Sequence, residues 1–375
     1  MRVLSAFAGV AVVVVILWDA FEALVLPRRV TRRLRPTRFF YASTWALWTI
    51  PARRLEGGLR ETYLSFYAPL SLLLLLQLWA ASLVIGFAML QWSLGNALKT
   101  PDHSATLWDA VYMSASTFFT LGLGDVVPTT GLARALTVVE AGVGFMFLAV
   151  MVGYLPVLNQ AFSRREVNIV LLDARAGSPP TAAELLRRHG DHPAALVTLL
   201  RDWEHWAADV LESHLSYPVL GYFRSQHDNQ SWLAALTTIL DASALVSVTM
   251  QGEAARQAKL TFAMARHAVV DLAQVLRHPP VVDGRNRLPH ATALKLLEEV
   301  GQKSLARAEM TIEQLSLLRI MYEPYVTPLA EHLLMPLPDW ATEEAGHDNW
   351  RATAWDRPRA AGADPSSLRG DGRLH

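Results

Sequence analysis

The chain has 375 residues, no net formal charge and no cysteine. Hydrophobic residues make up 52% of it and charged residues 18%, below the roughly 25% of an average soluble domain. These figures give no basis for an electrostatically bound nucleic acid, and they exclude disulfides, thiolate metal sites and cysteine nucleophiles. The length allows a membrane part and one soluble domain.

The first apolar segment covers residues 3–26. Its apolar core ends at Trp18, and Asp19 and Glu22 follow. A cleaved signal peptide is the alternative, but no small-x-small cleavage site follows in WDAFEALVLPRR. The pattern therefore favours a retained N-terminal transmembrane helix within residues 1–26.

Arginine is concentrated in residues 27–66, which we interpret as a basic cytoplasmic and interfacial loop. Its nine arginines are Arg28, Arg29, Arg32, Arg33, Arg35, Arg38, Arg53, Arg54 and Arg60. A voltage sensor spaces arginines every third residue within an apolar span, whereas these crowd beside Pro36. The pattern favours the binding of anionic lipid headgroups instead. We expect this binding at Arg28, Arg29, Arg32 and Arg33.

An aromatic segment follows in the same loop. Residues 39–50, FFYASTWALWTI, combine apolar and aromatic side chains directly after the arginines. Tryptophan is enriched where a membrane meets water. The segment therefore predicts an interfacial stretch with Trp45 and Trp48 at headgroup level.

Two further segments are long and apolar enough to cross a hydrocarbon core of about 30 Å. Residues 70–90 carry no charge, whereas residues 132–155 contain Arg134 and Glu140. Because basic loops stay inside, the loop of residues 27–66 faces the cytoplasm. The sequence thus predicts a multi-pass cell-membrane protein with three transmembrane helices, the N-terminus outside and the C-terminus in the cytoplasm.

Between these two spans the chain reads WDAVYMSASTFF and then TLGLGD. The first stretch, residues 108–119, is long enough for about three helical turns, and its carboxyl end carries partial negative charge that favours a cation. The six following residues must turn their carbonyls one way. Gly122 and Gly124 supply the positive φ that this requires. Several copies around an axis would form rings of oxygens that replace the water around an ion.

This arrangement resembles the pore of potassium channels, whose signature is Thr-Val-Gly-Tyr-Gly-Asp. TLGLGD is similar to the second pore loop of the two-pore-domain potassium channels. The resemblance implies a pore domain over residues 67–162, with an outer helix, a pore helix, a selectivity filter and an inner helix. It also implies a homotetramer, since one chain supplies one of four filter strands. The filter residues carried over are Thr120, Leu121, Gly122, Leu123, Gly124 and Asp125.

The same resemblance assigns roles within the filter. It implies potassium sites at Thr120, Leu121, Gly122 and Leu123. Asp125 would lie at the outer mouth. Two residues depart from the family pattern. Leu123 replaces the usual tyrosine, so the tether that the tyrosine hydroxyl forms to the pore helix is lost. Ser116 stands where some bacterial channels place a glutamate behind the filter.

The inner helix contains the candidate gating residues. Gly144 lies where the family commonly has a hinge glycine, although close helix packing is the alternative. The residues expected to line the cavity or form an apolar gate are Phe145, Leu148, Val152 and Pro156. We expect Pro156 to end or kink the helix, because proline lacks a backbone donor. Glu140 either bonds to the pore helix or acts electrostatically on the permeating ion.

Residues 163–338 predict an all-helical cytoplasmic domain. After a linker at residues 166–180 with a possible strand, TAAE at Thr181 to Glu184 forms a capping box. Apolar residues recur with helical spacing in residues 194–215, 231–250, 253–276, 289–300 and 306–334. No nucleotide-binding turn appears. His205 and Asp209 are weak metal candidates and are best interpreted as solvated. The polar residues 339–375 predict a disordered tail.

The sequence therefore predicts an all-α membrane protein that conducts potassium passively and is gated through its cytoplasmic domain. A nonselective cation channel is one alternative, and a membrane-anchored ligand sensor with a vestigial pore is another. We assign no catalytic residue and no cofactor besides the permeant potassium ion. The gating stimulus and the ligand of the cytoplasmic domain stay open.

Overall fold

A computed structural model describes residues 1–26, 35–101, 104–226, 230–282, 286–299 and 304–341. The arginines expected to bind headgroups, Arg28, Arg29, Arg32 and Arg33, lie outside these described residues. So does the predicted tail from residue 342 onward. The helices are α1 (Arg2–Leu24), α2 (Pro36–Ala52), α3 (Gly57–Ser65), α4 (Tyr67–Ser93), α5 (Leu107–Phe118), α6 (Gly131–Ala176), α7 (Ala182–His189), α8 (Pro193–Ser216), a 3-10 helix (Pro218–Tyr222), α9 (Trp232–Thr249), α10 (Gly252–Val275), α11 (His290–Glu299), α12 (Leu305–Arg319) and α13 (Glu323–Leu333).

The predicted all-helical architecture with long apolar helices is confirmed. Four helical stretches of the described chain are long and apolar enough to cross a membrane: Arg2–Leu24, Gly57–Ser93, Gly131–Ala176 and Trp232–Thr249. The second and third contain the spans expected at residues 70–90 and 132–155, and the first covers all but the last two residues of the segment expected at residues 3–26. The fourth, α9, is largely buried and packs against α7, α8, α10 and α12.

Helix α1 packs antiparallel against α4 through two glycines. A Cβ on Gly9 would lie 2.8 Å from the carbonyl oxygen of Gly86, so the two backbones are in close contact. Near the same end, the Ser5 hydroxyl donates a hydrogen bond of 2.9 Å to the carbonyl of Met89. Small residues permit this approach, which explains how an apolar helix can hold a specific position beside α4.

At the other end of α1 a buried carboxylate fixes the following chain. Asp19 is 1% exposed and accepts a hydrogen bond of 3.1 Å from the Trp79 indole of α4. The backbone N–H of Thr37 donates to the same carboxylate at 3.0 Å, and Arg35 lies 4.0 Å from it. Arg35 also pairs with Glu22 at 3.3 Å. The acidic end of α1 thereby holds the start of α2 against the α1–α4 pair.

The pore helix α5 begins at a capping box. The Thr106 side chain accepts from the backbone N–H of Asp109, and the Asp109 carboxylate accepts from the Thr106 N–H at 2.7 Å. Beyond the filter the chain pairs with the loop after α4, because β1 (Leu98–Lys99) and β2 (Val127–Pro128) form a two-stranded antiparallel ladder. This ladder ties both ends of the pore loop together on the side of the α4 carboxyl terminus.

Helix α6 is one continuous helix of 46 residues. The expected linker with a possible strand at residues 166–180 is therefore wrong for residues 166–176, which are helical. Ile169 and Leu172 are 1% and 0% exposed and belong to the same core as residues of the helices that follow α6. This packing explains why the β-prone stretch is helical. Pro156 lies inside the helix and does not end it. The domain boundary predicted at residue 163 falls within α6 and stays a prediction.

The helices from α7 onward form a bundle with α9 near its centre. Helices α8, α9, α10 and α11 begin and end within two residues of the predicted segments. The Thr181 side chain accepts from the Glu184 N–H at the start of α7, as the capping motif predicted. The single segment expected at residues 306–334 is instead two helices, because the chain turns between α12 and α13.

An aromatic cluster joins α2 and α4 to the bundle. Trp45 is 3% exposed, and its indole donates a hydrogen bond of 2.9 Å to the carbonyl of His332 on α13. Its ring centroid lies 4.7 Å from that of Tyr67 and 5.0 Å from that of Tyr222. The expectation that Trp45 lies at headgroup level is therefore wrong. The amphipathic indole is satisfied inside the protein instead.

Candidate ion-conduction site

The filter backbone has positive φ at every second residue. Thr120, Gly122 and Gly124 have φ values of 58°, 61° and 80°. Alternation of left-handed and right-handed residues turns successive carbonyls toward the same side of the strand. Thr120 adopts this conformation without being glycine, which is a strained backbone of the kind found at functional sites. The glycine positions in TLGLGD are thus where the chain needs them.

Ser116 of α5 lies behind the filter and holds it. Its carbonyl accepts from the N–H of Leu121 at 2.8 Å and from that of Gly122 at 3.4 Å. Its hydroxyl accepts from the Leu123 N–H at 3.5 Å. The filter amides therefore point toward the pore helix. Ser116 does occupy the position behind the filter that the resemblance assigned to it.

The outer mouth has a second connection to the pore helix. The hydroxyl of Tyr112 interacts with the Asp125 carboxylate. Tyr112 and Ser116 are four residues apart on α5, so both lie on the helix face toward the filter. Tyr112 on the pore helix is thus an electrostatic neighbour of Asp125, which sequence reasoning missed.

One side of the filter is not covered by any residue that the structure describes. The Leu121 and Leu123 side chains are 64% and 63% exposed, and a Cβ at Gly122 would meet no atom within 4 Å. Ser116 on the opposite side is 7% exposed. A single chain therefore presents one supported strand with an open face.

Gly144 of α6 packs directly against the end of α5. A Cβ there would lie 2.2 Å from the carbonyl oxygen of Phe118 and 3.0 Å from its carbonyl carbon. Gly144 is buried, and α6 continues through it without interruption. This geometry is that of the close-packing alternative, while a hinge at Gly144 stays a prediction.

Glu140 contacts the pore helix. Its side chain is 0% exposed, and its carboxyl group makes a short hydrogen bond with the Ser114 hydroxyl of α5. The same hydroxyl lies 2.8 Å from the carbonyl of Val84 on α4. Ser114 therefore links the outer, pore and inner helices at one point, and the bond from Glu140 to the pore helix is confirmed.

The predicted gating residues lie on an exposed strip of α6. Phe145, Leu148 and Val152 are 69%, 42% and 75% exposed, and Pro156 is exposed as well. Apolar side chains this exposed on one helix face mark a surface that another chain or a membrane covers. Their role in lining a cavity stays a prediction.

Below the pore, Arg165 anchors α6 to the bundle. The guanidinium is 3% exposed and donates to the carbonyls of Leu220 at 2.9 Å and Phe223 at 3.0 Å. It also pairs with Glu166 at 2.9 Å. These bonds cap the 3-10 helix of the bundle with a side chain of the inner helix. A buried charge thus fixes the inner helix to the helical bundle.

His214 completes this network as a neutral acceptor. Its Nδ1 lies 2.8 Å from the carbonyl of Val210, so Nδ1 carries the proton, and Nε2 lies 3.3 Å from Arg165 Nη1. Burial, together with the positive charge of Arg165, lowers the pKa of His214 to about 3. The imidazole accepts from the guanidinium only while it is uncharged.

The other candidate ligands do not form a metal site. Asp209 pairs with Arg164 at 3.8 Å on the surface, and His205 is exposed. Among the described residues, no three histidine, aspartate or glutamate side chains come together to hold a metal ion. The interpretation of His205 and Asp209 as solvated residues agrees with their exposure.

Comparison with known proteins relates the pore segment to ion channels. Residues 74–159, from α4 through the filter into α6, match a family model described as an ion channel. Protein LctB of Bacillus caldotenax is 37% identical over 84 residues, which cover 20% of this chain and 62% of LctB. LctB of Geobacillus stearothermophilus is 35% identical over 84 residues, with the same shares of both chains.

A third relative matches a longer part of the chain at lower identity. An uncharacterized membrane protein of Bacillus subtilis, YdjJ, is 25% identical over 203 residues, which cover 53% of this chain and 58% of YdjJ. The chain thus spans less than two thirds of each of these three relatives. No solved structure matches it.

Proposed function

We propose that this protein conducts potassium ions passively across the cell membrane as a homotetramer. The proposal starts from the ion channel domain that residues 74–159 form. The observation that carries the proposal is the alternation of positive φ at Thr120, Gly122 and Gly124. Such an alternation would turn successive carbonyl oxygens toward one side of the strand, and we propose that this is the side that no described residue covers. Such oxygens replace the hydration shell of a permeating ion.

The open face of the filter supports the tetramer. One strand offers oxygens from one direction only, whereas a dehydrated ion needs them from all sides. Four copies around an axis complete each ring, and a closed cyclic arrangement covers the same surface on every subunit. The exposed strip with Phe145, Leu148 and Val152 then faces the axis or a neighbouring subunit. Pro156 lies further along the same strip toward the cytoplasmic end.

The proposed topology has three spanning helices, α1, α4 and α6. The antiparallel contact of α1 with α4 and the arginines of residues 27–66 support an N-terminus outside the cell. Helix α9 stays in the cytoplasm in this proposal, because Asp241 within it is 1% exposed and pairs with Arg287 at 2.5 Å inside the bundle. Anionic headgroups would bind the arginines at residues 28–33.

Gating through the bundle is supported by the anchoring of α6. Arg165 connects the inner helix to the 3-10 helix, and the aromatic cluster around Trp45 connects α2 and α4 to α13. A rearrangement of the bundle therefore acts on both the outer and the inner helix of the pore.

The test is ion flux from liposomes that contain the purified protein. Potassium permeability well above sodium permeability, read from reversal potentials under bi-ionic conditions, is the expected result. Near-equal permeabilities would favour a nonselective cation channel, which the leucine at position 123 also permits. Native mass spectrometry checks the tetramer, and a monomer without alkali-metal flux would overturn the proposal.

A further inference from the structure

The exposed strip of α6 continues well beyond the predicted gating residues. Its positions recur every eleven residues along the helix: Phe145, Leu148, Val152, Pro156, Asn159, Ser163, Val167, Val170 and Ala174. An eleven-residue repeat places about 3.67 residues in each turn, close to the period of a straight α-helix, so these positions share one face. Helix α6 runs through all of them without interruption. The strip is therefore a single surface about 44 Å long.

This surface is left open by the rest of the described chain. Val167 is 57% exposed, Asn159 and Ser163 are exposed, and none of the strip positions is buried. The opposite face of the same helix carries the packing contacts, since Ile169 and Leu172 are 1% and 0% exposed. Packing on the bundle thus fixes which way α6 faces, and the strip is the face that is turned away from the bundle.

The strip changes in chemical character along its length. Its first part is apolar, with Phe145, Leu148 and Val152, and its middle carries the polar Asn159 and Ser163. Below them the strip is apolar again at three positions, which we call the lower strip: Val167, Val170 and Ala174. Two apolar surfaces are thus separated by a polar one on the same helix face.

Lipid does not reach the lower strip. About 54 Å of helix separate Val167 from Gly131, where α6 begins, whereas a hydrocarbon core is about 30 Å thick. Arg164 and Arg165 precede Val167, and arginines collect on the cytoplasmic side of a membrane. Arg164 also pairs with Asp209 of its own chain at 3.8 Å, so it brings no unpaired charge beside the lower strip. An apolar helix face in this position marks a contact with another protein surface.

We infer that the lower strips of the four subunits cover one another, so that the α6 helices meet a second time below the membrane. This inference rests on the proposed function, because the shared axis of the tetramer brings the same helix face of each copy together. The upper part of the strip is turned to that axis or to a neighbouring subunit in the proposed pore, and the lower part belongs to the same face. Asn159 and Ser163 stay in water between the two apolar contacts.

Introduced cysteines test this contact, because the chain has none of its own. Val167→Cys and Val170→Cys are prepared as single substitutions in the full-length protein in nanodiscs, oxidised with copper phenanthroline and run on a non-reducing gel. A disulfide requires two Cα atoms within about 7 Å of each other, so it reports direct contact. We expect disulfide-linked dimers, since each cysteine has an identical neighbour around the axis.

Asn168→Cys is the matched control. Asn168 follows Val167 directly, is half-buried, and points about 100° around the helix from it. We expect this variant to stay unlinked. Linking of Asn168→Cys to the same extent as Val167→Cys would overturn the inference, because the disulfides would then come from chance collisions.

Native mass spectrometry of the same samples separates this inference from the proposed function. A tetramer in which neither Val167→Cys nor Val170→Cys links would overturn the inference and leave the proposed function standing. A monomer would overturn the tetramer of the proposed function together with the inference.

A second measurement needs no disulfide. Val167→Asp places like charges from four subunits close together, whereas Asn168→Asp places the same charges away from the contact. We expect Val167→Asp to lower the temperature at which the tetramer dissociates in detergent by several degrees more than Asn168→Asp does. Equal dissociation temperatures of the two variants would contradict the contact.

Discussion

Gly144 of the inner helix lies against the carbonyl of Phe118, the last residue of the pore helix, with no room for a side chain between them. The filter begins two residues after Phe118, so this contact sets the distance from the inner helix to the first filter residue. A change at Gly144 therefore acts on the filter through backbone atoms, which cannot rotate out of the way as a side chain can.

Replacing Gly144 with alanine should displace the pore helix. The added Cβ would lie 2.2 Å from the Phe118 oxygen, so the two helices must separate, at roughly 1–3 kcal/mol for an overpacked contact. We expect a lower melting temperature and loss of potassium flux. Gly142→Ala is the matched control, because a Cβ at Gly142 meets nothing within 4 Å. Equal effects of the two substitutions would contradict this account.

Replacing Gly122 with alanine should disturb the filter itself. Gly122 has a φ of 61°, a conformation that costs a residue with a Cβ roughly 1–2 kcal/mol. We expect flux to fall strongly while the protein still folds, since a Cβ at this position meets no atom. Gly131→Ala at the start of α6 is the control, because it replaces a glycine whose φ is not positive. Flux that survives Gly122→Ala unchanged would argue against conduction through this strand.

Removing the Arg165 side chain should uncouple the inner helix from the bundle. Arg165→Gln removes the charge that pairs with the buried Glu166, which keeps only the Ser225 hydroxyl, and the donors to two buried carbonyls. Breaking a buried ion pair in this way typically costs about 3 kcal/mol or more. The neighbouring Arg164 is 62% exposed and pairs only at the surface, so Arg164→Gln should change stability little. Thermal unfolding of both variants in detergent measures the difference, and equal melting temperatures would refute the anchoring role.

Stability should fall in acid because of His214. The unfolded chain binds a proton at this histidine below its ordinary pKa of 6.5, whereas the buried residue stays neutral until its pKa of about 3 is reached. The folded state therefore loses stability as the pH falls from 6.5 toward 3, by about 2 kcal/mol between about pH 7 and pH 5. His214→Gln should flatten this part of the pH dependence of melting. The exposed His205→Gln should not, and an unchanged slope in His214→Gln would contradict the prediction.

The pore could be predicted from the sequence because its constraints are local. The uncharged span at residues 70–90 and the glycine spacing of TLGLGD each follow from short segments of chain. The helical periods of α8, α9 and α10 were visible for the same reason. The connection of Tyr112 to Asp125 was not visible, because it joins two positions only after the filter has turned back along α5.

Two failures share a physical cause. Trp45 has an apolar body and one polar N–H, which fits a membrane interface and a buried aromatic cluster equally well. Residues 166–176 contain a short apolar run that suits a strand or a buried helix. In both cases packing against the bundle decides which structure the segment adopts. A single sequence does not show which surface of the folded protein will face the segment.

Helix α6 is uninterrupted and its backbone touches the pore helix at Gly144, so a rigid tilt about this contact would move α6 as a lever. About 48 Å of helix separate Gly144 from Ala176, and about 12 Å separate it from Val152. A tilt of about 5° thus moves the far end by about 4 Å and Val152 by about 1 Å. In such a tilt, a displacement of the far end of α6 would reach Val152 reduced about fourfold, while the force would be multiplied by the same factor.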